Sequence, residues 1–223
     1  MAKFNLTWNS SSLQGNTNVT SQEASWQKKI GGTWSASGFN PANPLLTSAS
    51  ATQSPDLIPD NVIYQFRIRT MCTLNGPVNN VGGPSELIHF ACPTAPSLSN
   101  TGLTATIAVD LTGTDINKVA FTLRKAPVAP ALPSPTDPIV MARTIVNKGS
   151  GTVVSITAST GVAYSTAYYW EVDMCATLFN GGINTDVWSA ANTGNIGSTC
   201  KFMFTAVDPP TCAMVTGLTI TIA

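Results

Sequence analysis

The chain has 223 residues, of which only 10% are charged, against roughly 25% in an average soluble domain. Eleven basic and eleven acidic residues cancel, which removes any electrostatic case for nucleic acid or an anionic membrane surface as partner. No apolar run approaches the roughly 20 residues that a membrane-spanning helix needs, and Thr, Ser, Asn, Ala and Gly dominate, a mixture that suits strands and turns rather than helices.

In chain order, the opening Met1-Ala-Lys-Phe-Asn-Leu-Thr-Trp8 lacks the apolar stretch of a secretory signal, so synthesis and folding in a cytoplasm are expected. Phe4-Asn-Leu-Thr-Trp-Asn9 reads as a first strand, and residues 24–28 around Trp26 as another. Tyr64-Gln-Phe-Arg-Ile-Arg-Thr70 alternates cleanly, with Tyr64, Phe66 and Ile68 on one face and Arg67 and Arg69 on the other. An Asn75-Gly76 turn comes next, and Glu86-Leu-Ile-His-Phe90 reads as a strand. Pro93-Thr-Ala-Pro-Ser-Leu-Ser-Asn-Thr-Gly102 has the composition of a linker.

The second half repeats the first. Val119-Ala-Phe-Thr-Leu-Arg124 is the counterpart of the Trp26 segment, and Gly151-Thr-Val-Val-Ser-Ile-Thr157 is a β-branched strand. Five prolines in residues 126–138 exclude a central strand and predict an extended excursion on the rim. Tyr168-Tyr-Trp-Glu-Val-Asp-Met174 repeats the Tyr64 pattern about 104 residues later, with Glu171 and Asp173 where the first copy has Arg67 and Arg69. Residues 180–195 read as a long loop carrying Trp188, and Lys201-Phe-Met-Phe-Thr205 matches the segment from Glu86 to Phe90. Finally, Thr101-Gly-Leu-Thr-Ala-Thr-Ile-Ala108 returns as Thr216-Gly-Leu-Thr-Ile-Thr-Ile-Ala223, an offset of about 115 residues that is the size of a whole module.

These strands resemble tandem fibronectin type III modules. The likeness is carried by Leu57-Ile-Pro-Asp-Asn-Val-Ile-Tyr64 running into Tyr-x-Phe-Arg-Ile-Arg, which looks like that family's tyrosine corner and sixth strand. A turn and a Pro-Ser-Glu-Leu-Ile-His-Phe seventh strand come after it. The second copy keeps Tyr168-x-Trp-x-Val but has Ile156-Thr-Ala-Ser-Thr-Gly-Val162 in place of the Leu-x-Pro entry. The fold class expected is therefore all-β: two fibronectin III- or immunoglobulin-like sandwiches over residues 1–92 and 93–208, with an extra strand segment at 209–223. The first sandwich is expected to lack its leading strand, and the last segment to supply a spare one.

The candidate chemistry is sparse. His89, the single histidine, reads as a strand-surface residue. Glu171 and Asp173 lie two apart on one strand face, the nearest thing to a glycosidase carboxylate pair. A sharper expectation is that they face Arg67 and Arg69 across a contact between modules or subunits. Asp110-Leu-Thr-Gly-Thr-Asp115 offers two loop carboxylates, too few oxygens for calcium. Five cysteines fit buried free thiols better than a disulfide framework, with Cys175 and Cys200 a candidate pair across the last hairpin. Trp34 and Trp188 are candidate glycan-stacking residues. No catalytic, cofactor or metal residues are assigned.

The function expected is a non-enzymatic structural part of a bacteriophage virion (capsid decoration, neck or tail part, or fibre), made in the host cytoplasm. This last step rests on the resemblance of such polar, Thr-rich modules to virion proteins. Its partners would be further copies of itself and other virion proteins, and host-surface glycans are a further candidate. Leu218, Ile220 and Ile222 would add to a neighbouring sheet by β-augmentation. The alternative is a carbohydrate-binding or adhesive module of a bacterial surface protein. A glycoside hydrolase is a third class.

Overall fold

A computed structural model describes residues 3–7, 18–30, 32–35, 50–56, 61–73, 76–79, 85–94, 96–101, 103–129, 131–190 and 199–207. Fifteen strands and no helix occur among them. The second module is described nearly throughout. Its smaller sheet has three strands in the order β12-β9-β8: β8 (Ser97–Thr101), β9 (Thr104–Asp110) and β12 (Val153–Ala158). Its larger sheet runs β11-β10-β13-β14: β10 (Lys118–Lys125), β11 (Ile139–Asn147), β13 (Ala167–Asn180) and β14 (Ile183–Trp188). The last strand, β15 (Cys200–Thr205), also pairs with β13. Every pairing in both sheets is antiparallel. Three strands facing a larger sheet centred on the penultimate long strand is the partition of a fibronectin III-like sandwich.

Alternation explains the packing. On β9, Ala105, Ile107 and Val109 point inward, and on β10 Val119, Phe121 and Leu123 do the same. From β13 come Tyr168, Trp170, Val172, Met174, Ala176 and Leu178. Phe121 meets Trp170 edge to face, with centroids 6.3 Å apart, an arrangement that ring quadrupoles favour. Together these side chains form one buried cluster between the two sheets.

The first module repeats the larger sheet. Here β2 (Val19–Ile30) pairs with β3 (Thr33–Trp34) on one side and β5 (Ile63–Cys72) on the other. On its far edge β5 takes both β6 (Gly76–Asn79) and β7 (Ser85–Ile88), just as β13 takes β14 and β15. A separate pair joins β1 (Lys3–Thr7) to β4 (Ser50–Asp56), matching β9 with β12. Tyr64 and Phe66 form a buried pair of their own, with the half-buried Trp26 packed against it.

Three expectations need amendment. The stretch read as a long loop from residue 180 contains β14, entered through a two-residue turn whose glycines have φ of 60° at Gly181 and 87° at Gly182. Both angles are positive, the requirement of a type I′ hairpin, so this turn selects glycine for backbone reasons. The last strands also match with a two-residue offset: Leu87 lies opposite Tyr64 and Phe204 opposite Tyr168. Because side chains alternate with period two, that offset preserves every face. Third, Cys200 is bonded not to Cys175 but to Cys92, which lies just past β7. Pairing of β14 and β15 with different halves of β13 places Cys175 opposite Trp188 and Cys200 opposite Val172. The segment 209–223, with Leu218, Ile220 and Ile222, lies outside the described residues.

Candidate functional site

The outward face of β13 carries Glu171, Asp173 and Cys175 of the side chains singled out in the sequence. This strand is covered on both faces, so its outward residues Tyr169, Glu171, Asp173 and Cys175 are buried as well. Buried charge must be paired and hydrogen-bonded, and neighbouring strands supply the partners. Arg124 of β10 donates from Nε to Glu171 Oε2 at 2.8 Å and from Nη1 to the Asp137 carbonyl at 2.7 Å. Arg143 of β11 donates to Asp173 Oδ2 at 3.0 Å and lays its guanidinium 4.3 Å from the centre of the Trp188 ring. The other oxygen of Asp173 accepts from Ser189 Oγ at 2.9 Å and from the Ala190 amide at 3.0 Å. Ser189 is fully buried and in turn accepts from the Met174 amide at 3.0 Å.

The same face continues in both directions. Toward the start of β13, the Tyr169 hydroxyl shares its proton between the Ser134 carbonyl at 2.8 Å and Asp137 Oδ2 at 2.9 Å. Burial, reinforced by the Asp137 carboxylate, drives that phenol well above its ordinary range. Lys201 donates to the Pro133 carbonyl at 3.0 Å and sits over the Tyr169 ring. The Pro-rich segment between β10 and β11 is thus fastened over this end of the sheet. Toward the end of β13, Lys118 is bonded to Asp186, which also accepts from Thr177 at 2.7 Å. The bond from Lys118, then that from Thr177, holds Asp186 below the usual carboxylate range. Cys175 is a buried free thiol pushed up to about 11, first by burial and then by the Asp186 charge. A thiol so protonated is a poor nucleophile.

The structure does not bring Glu171 and Asp173 to Arg67 and Arg69. Each carboxylate is bonded to an arginine of its own sheet, and neither lies in an open cleft. Arg67 donates through Nε and Nη2 to its neighbour Gln65 Oε1, at 3.0 and 2.7 Å. Arg69, also on β5, is half-buried. Trp188 is half-buried beneath Arg143, and Trp34 is half-buried against the main cluster with Lys29 over its ring. Neither indole presents both faces to a sugar. His89 is half-buried just after β7, between the fully buried Ile88 and Phe90, rather than on the surface. Asp110 accepts from the Thr112 hydroxyl and amide, which lower its pKa, whereas Asp115 turns toward the first module. No group of three or more metal-ligating side chains gathers among the described residues.

Sequence reasoning missed the junction between the modules. Asn61 sits in the left-handed region at φ 58°, a conformation that Asn tolerates better than most residues. From there its side chain donates to the Ala91 carbonyl at 3.0 Å and accepts from the Ala91 amide at 2.8 Å. Its carbonyl receives the Asp115 amide at 2.9 Å, and Asp115 Oδ2 accepts the Ile63 amide at 2.8 Å. A second reciprocal pair joins Glu86 to the end of β13. The Glu86 amide donates to Asn180 Oδ1 at 2.7 Å, Asn180 Nδ2 returns a bond to the Glu86 carbonyl at 3.2 Å, and Glu86 Oε2 accepts the Phe179 amide at 2.7 Å. Ile63, Ile88 and Phe90 belong to the same buried cluster as the second module's core. The one signal in the sequence was Asn61 itself, after Pro59 and Asp60 where a turn precedes a strand.

No protein-family pattern and no curated protein sequence matches the chain. Among solved structures, it is similar to the interferon gamma receptor alpha chain of chicken at 10% identity, covering 92% of this chain and 93% of that one, with a TM-score of 0.35. It is also similar to the chicken CNTN1 FN1–FN3 domains at 12% identity and a TM-score of 0.29, covering 92% of this chain and 63% of that one.

Proposed function

We propose that the chain is a non-enzymatic structural protein of a bacteriophage particle, a two-module spacer that assembles through its sheets. The observation that carries this reading is the fate of Glu171 and Asp173. The nearest approach to a catalytic pair in the sequence is buried and consumed by arginines, so the polar face of β13 holds strands together rather than meeting a substrate. Low charge, with no net excess of either sign, suits a surface destined for burial in an assembly.

Assembly is proposed to run through the repeated segment. Residues 101–108 contribute to β8 and β9, and β9 is flanked by β8 and β12. Residues 216–223 carry nearly the same sequence, and Leu218, Ile220 and Ile222 are its apolar positions. We read this segment as a strand donated to the β1–β4 pair of a neighbouring copy. Sedimentation velocity at rising concentration tests it: the full chain should self-associate, and a chain lacking residues 211–223 should not. A full chain that stays monomeric, or an assembly that survives the deletion, overturns strand donation.

A second reading, an adhesive or glycan-binding module of a bacterial surface protein, is favoured by the Cys92–Cys200 bond, since disulfides form readily in exported proteins and are rare in a cytosol, where the particle reading has the chain made. Glycan-array binding lost in Trp34→Ala or Trp188→Ala would select it over the particle reading.

A further inference from the structure

We infer that the junction between the two modules is a clasped joint, rigid while the Cys92–Cys200 disulfide is closed and opened by thiol exchange at Cys92. This goes beyond the proposed structural role and does not depend on it. Three fasteners meet there. The first is apolar: Ile63, Ile88 and Phe90 are continuous with the second module's core. The second is polar: Asn61 and Ile63 with Asp115, and Glu86 with Asn180. Short reciprocal bonds of this kind fix an orientation, because small rotations break both members of a pair. The third is covalent and links the segment after β7 to β15 of the second module, over a sequence separation of 108.

The covalent fastener has two unequal ends. Cys92 is exposed, while Cys200 is 2% exposed and part of the core. A dithiol reductant would therefore reach the Cys92 sulfur. Its thiolate bonds to Cys92 Sγ, the Cys92–Cys200 bond breaks, and Cys200 leaves as a thiolate that takes up a proton. The reductant's second thiol then displaces Cys92, which becomes a thiol, and the reductant departs as a cyclic disulfide. Two electrons have passed to the protein, and the segment between modules is held only by the polar bonds and apolar contact. Cys175 supplies an internal control, since it is buried in the middle of β13 and bonded to no other cysteine.

The test uses the full chain with and without a dithiol reductant. It combines residue-mapped alkylation, cleavage of the 91–97 segment by a broad-specificity protease, and small-angle scattering. Oxidised protein should leave Cys92 unalkylated, resist cleavage and scatter as a rigid particle. Reduction should expose Cys92, speed cleavage by roughly 10-fold or more as local opening becomes accessible, and broaden the scattering, with Cys175 still protected. Cys92→Ser combined with Cys200→Ala should copy the reduced state without reductant; should that variant fail to fold, the reductant series on the unaltered chain decides alone. Cys92 alkylated without reductant, cleavage and scattering unchanged after Cys92 is freed, or Cys175 exposed in step with Cys92 would each overturn the inference. The last outcome would make the bond a support of the second module's fold rather than of the joint.

Discussion

The strands β5 and β13 are copies of one design that solve the same problem differently. Both present Tyr-x-aromatic to the interior, Tyr64 and Phe66 in one and Tyr168 and Trp170 in the other. Both take two strands along one edge. Their outward faces carry opposite charge, and side-chain length sets how each face finds its partners. Arg67 is long enough to reach back to Gln65 on its own strand. Glu171 and Asp173 are short, so cations must come from β10 and β11, and Arg124 and Arg143 span the gap. Arg67 is satisfied locally; the carboxylate face ties three strands together. What looks in sequence like complementarity between two modules is, in the second module, complementarity between neighbouring strands.

The comparison can be broken most severely at Asp173. Asp173→Ala strands the Ser189 hydroxyl and the Ala190 amide and leaves Arg143 without its carboxylate, a loss of about 3 kcal/mol in urea unfolding. Arg67→Ala, its counterpart on β5, should cost less than about 0.5 kcal/mol; equal losses would end the distinction between the faces. A smaller effect sharpens the likeness of the inward faces. The Tyr168 hydroxyl accepts the Ala163 amide at 2.8 Å and lies 3.5 Å from the Gly161 carbonyl, so Tyr168→Phe should lose about 1 kcal/mol by the same measurement. The smallest effect belongs to the exposed Lys118–Asp186 pair. Its bonds depress the Asp186 pKa from the ordinary 3.8, so its contribution is present above that value and fades as pH falls through the folded one. Melting temperature measured from pH 5 downward should therefore drop slightly less in Asp186→Asn than in the parent chain; an identical slope would remove the pair from the stability account.

Alternation of apolar and polar residues made β5 and β13 legible, even though both faces of β13 are covered, and a β-branched run did the same for β12. The tyrosine corner was legible only in part. Its expected Leu-x-Pro signature is in the first module, yet the second module, without that signature, also ties its tyrosine hydroxyl to the backbone, at Ala163 and Gly161. There the acceptor and donor are main-chain groups, which leave no side-chain signature. The strand β14 was hidden because Ile183-Asn-Thr-Asp-Val-Trp188 does not alternate cleanly, and only the two glycines before it announce a hairpin. The Cys92–Cys200 bond was invisible for another reason: with an odd number of cysteines and partners 108 residues apart, spacing favours no pairing. The paired carboxylates were found as residues but without their partners, since no local pattern shows that Arg143, about thirty residues upstream, returns to the same face.

The length of β13 sets the spacing of the two modules. Its 14 residues outrun β15, and the overhang bearing Phe179 and Asn180 is the part that grips Glu86. The strand therefore works as a ruler, its length setting how far the grip stands from the second module's centre. Adding two residues to both β13 and β14 would lengthen that ruler by about 7 Å while keeping every side chain on its side. Adding one would turn the grip to the opposite face. The spacing between the two modules of this chain can therefore be tuned along β13 only in steps of two.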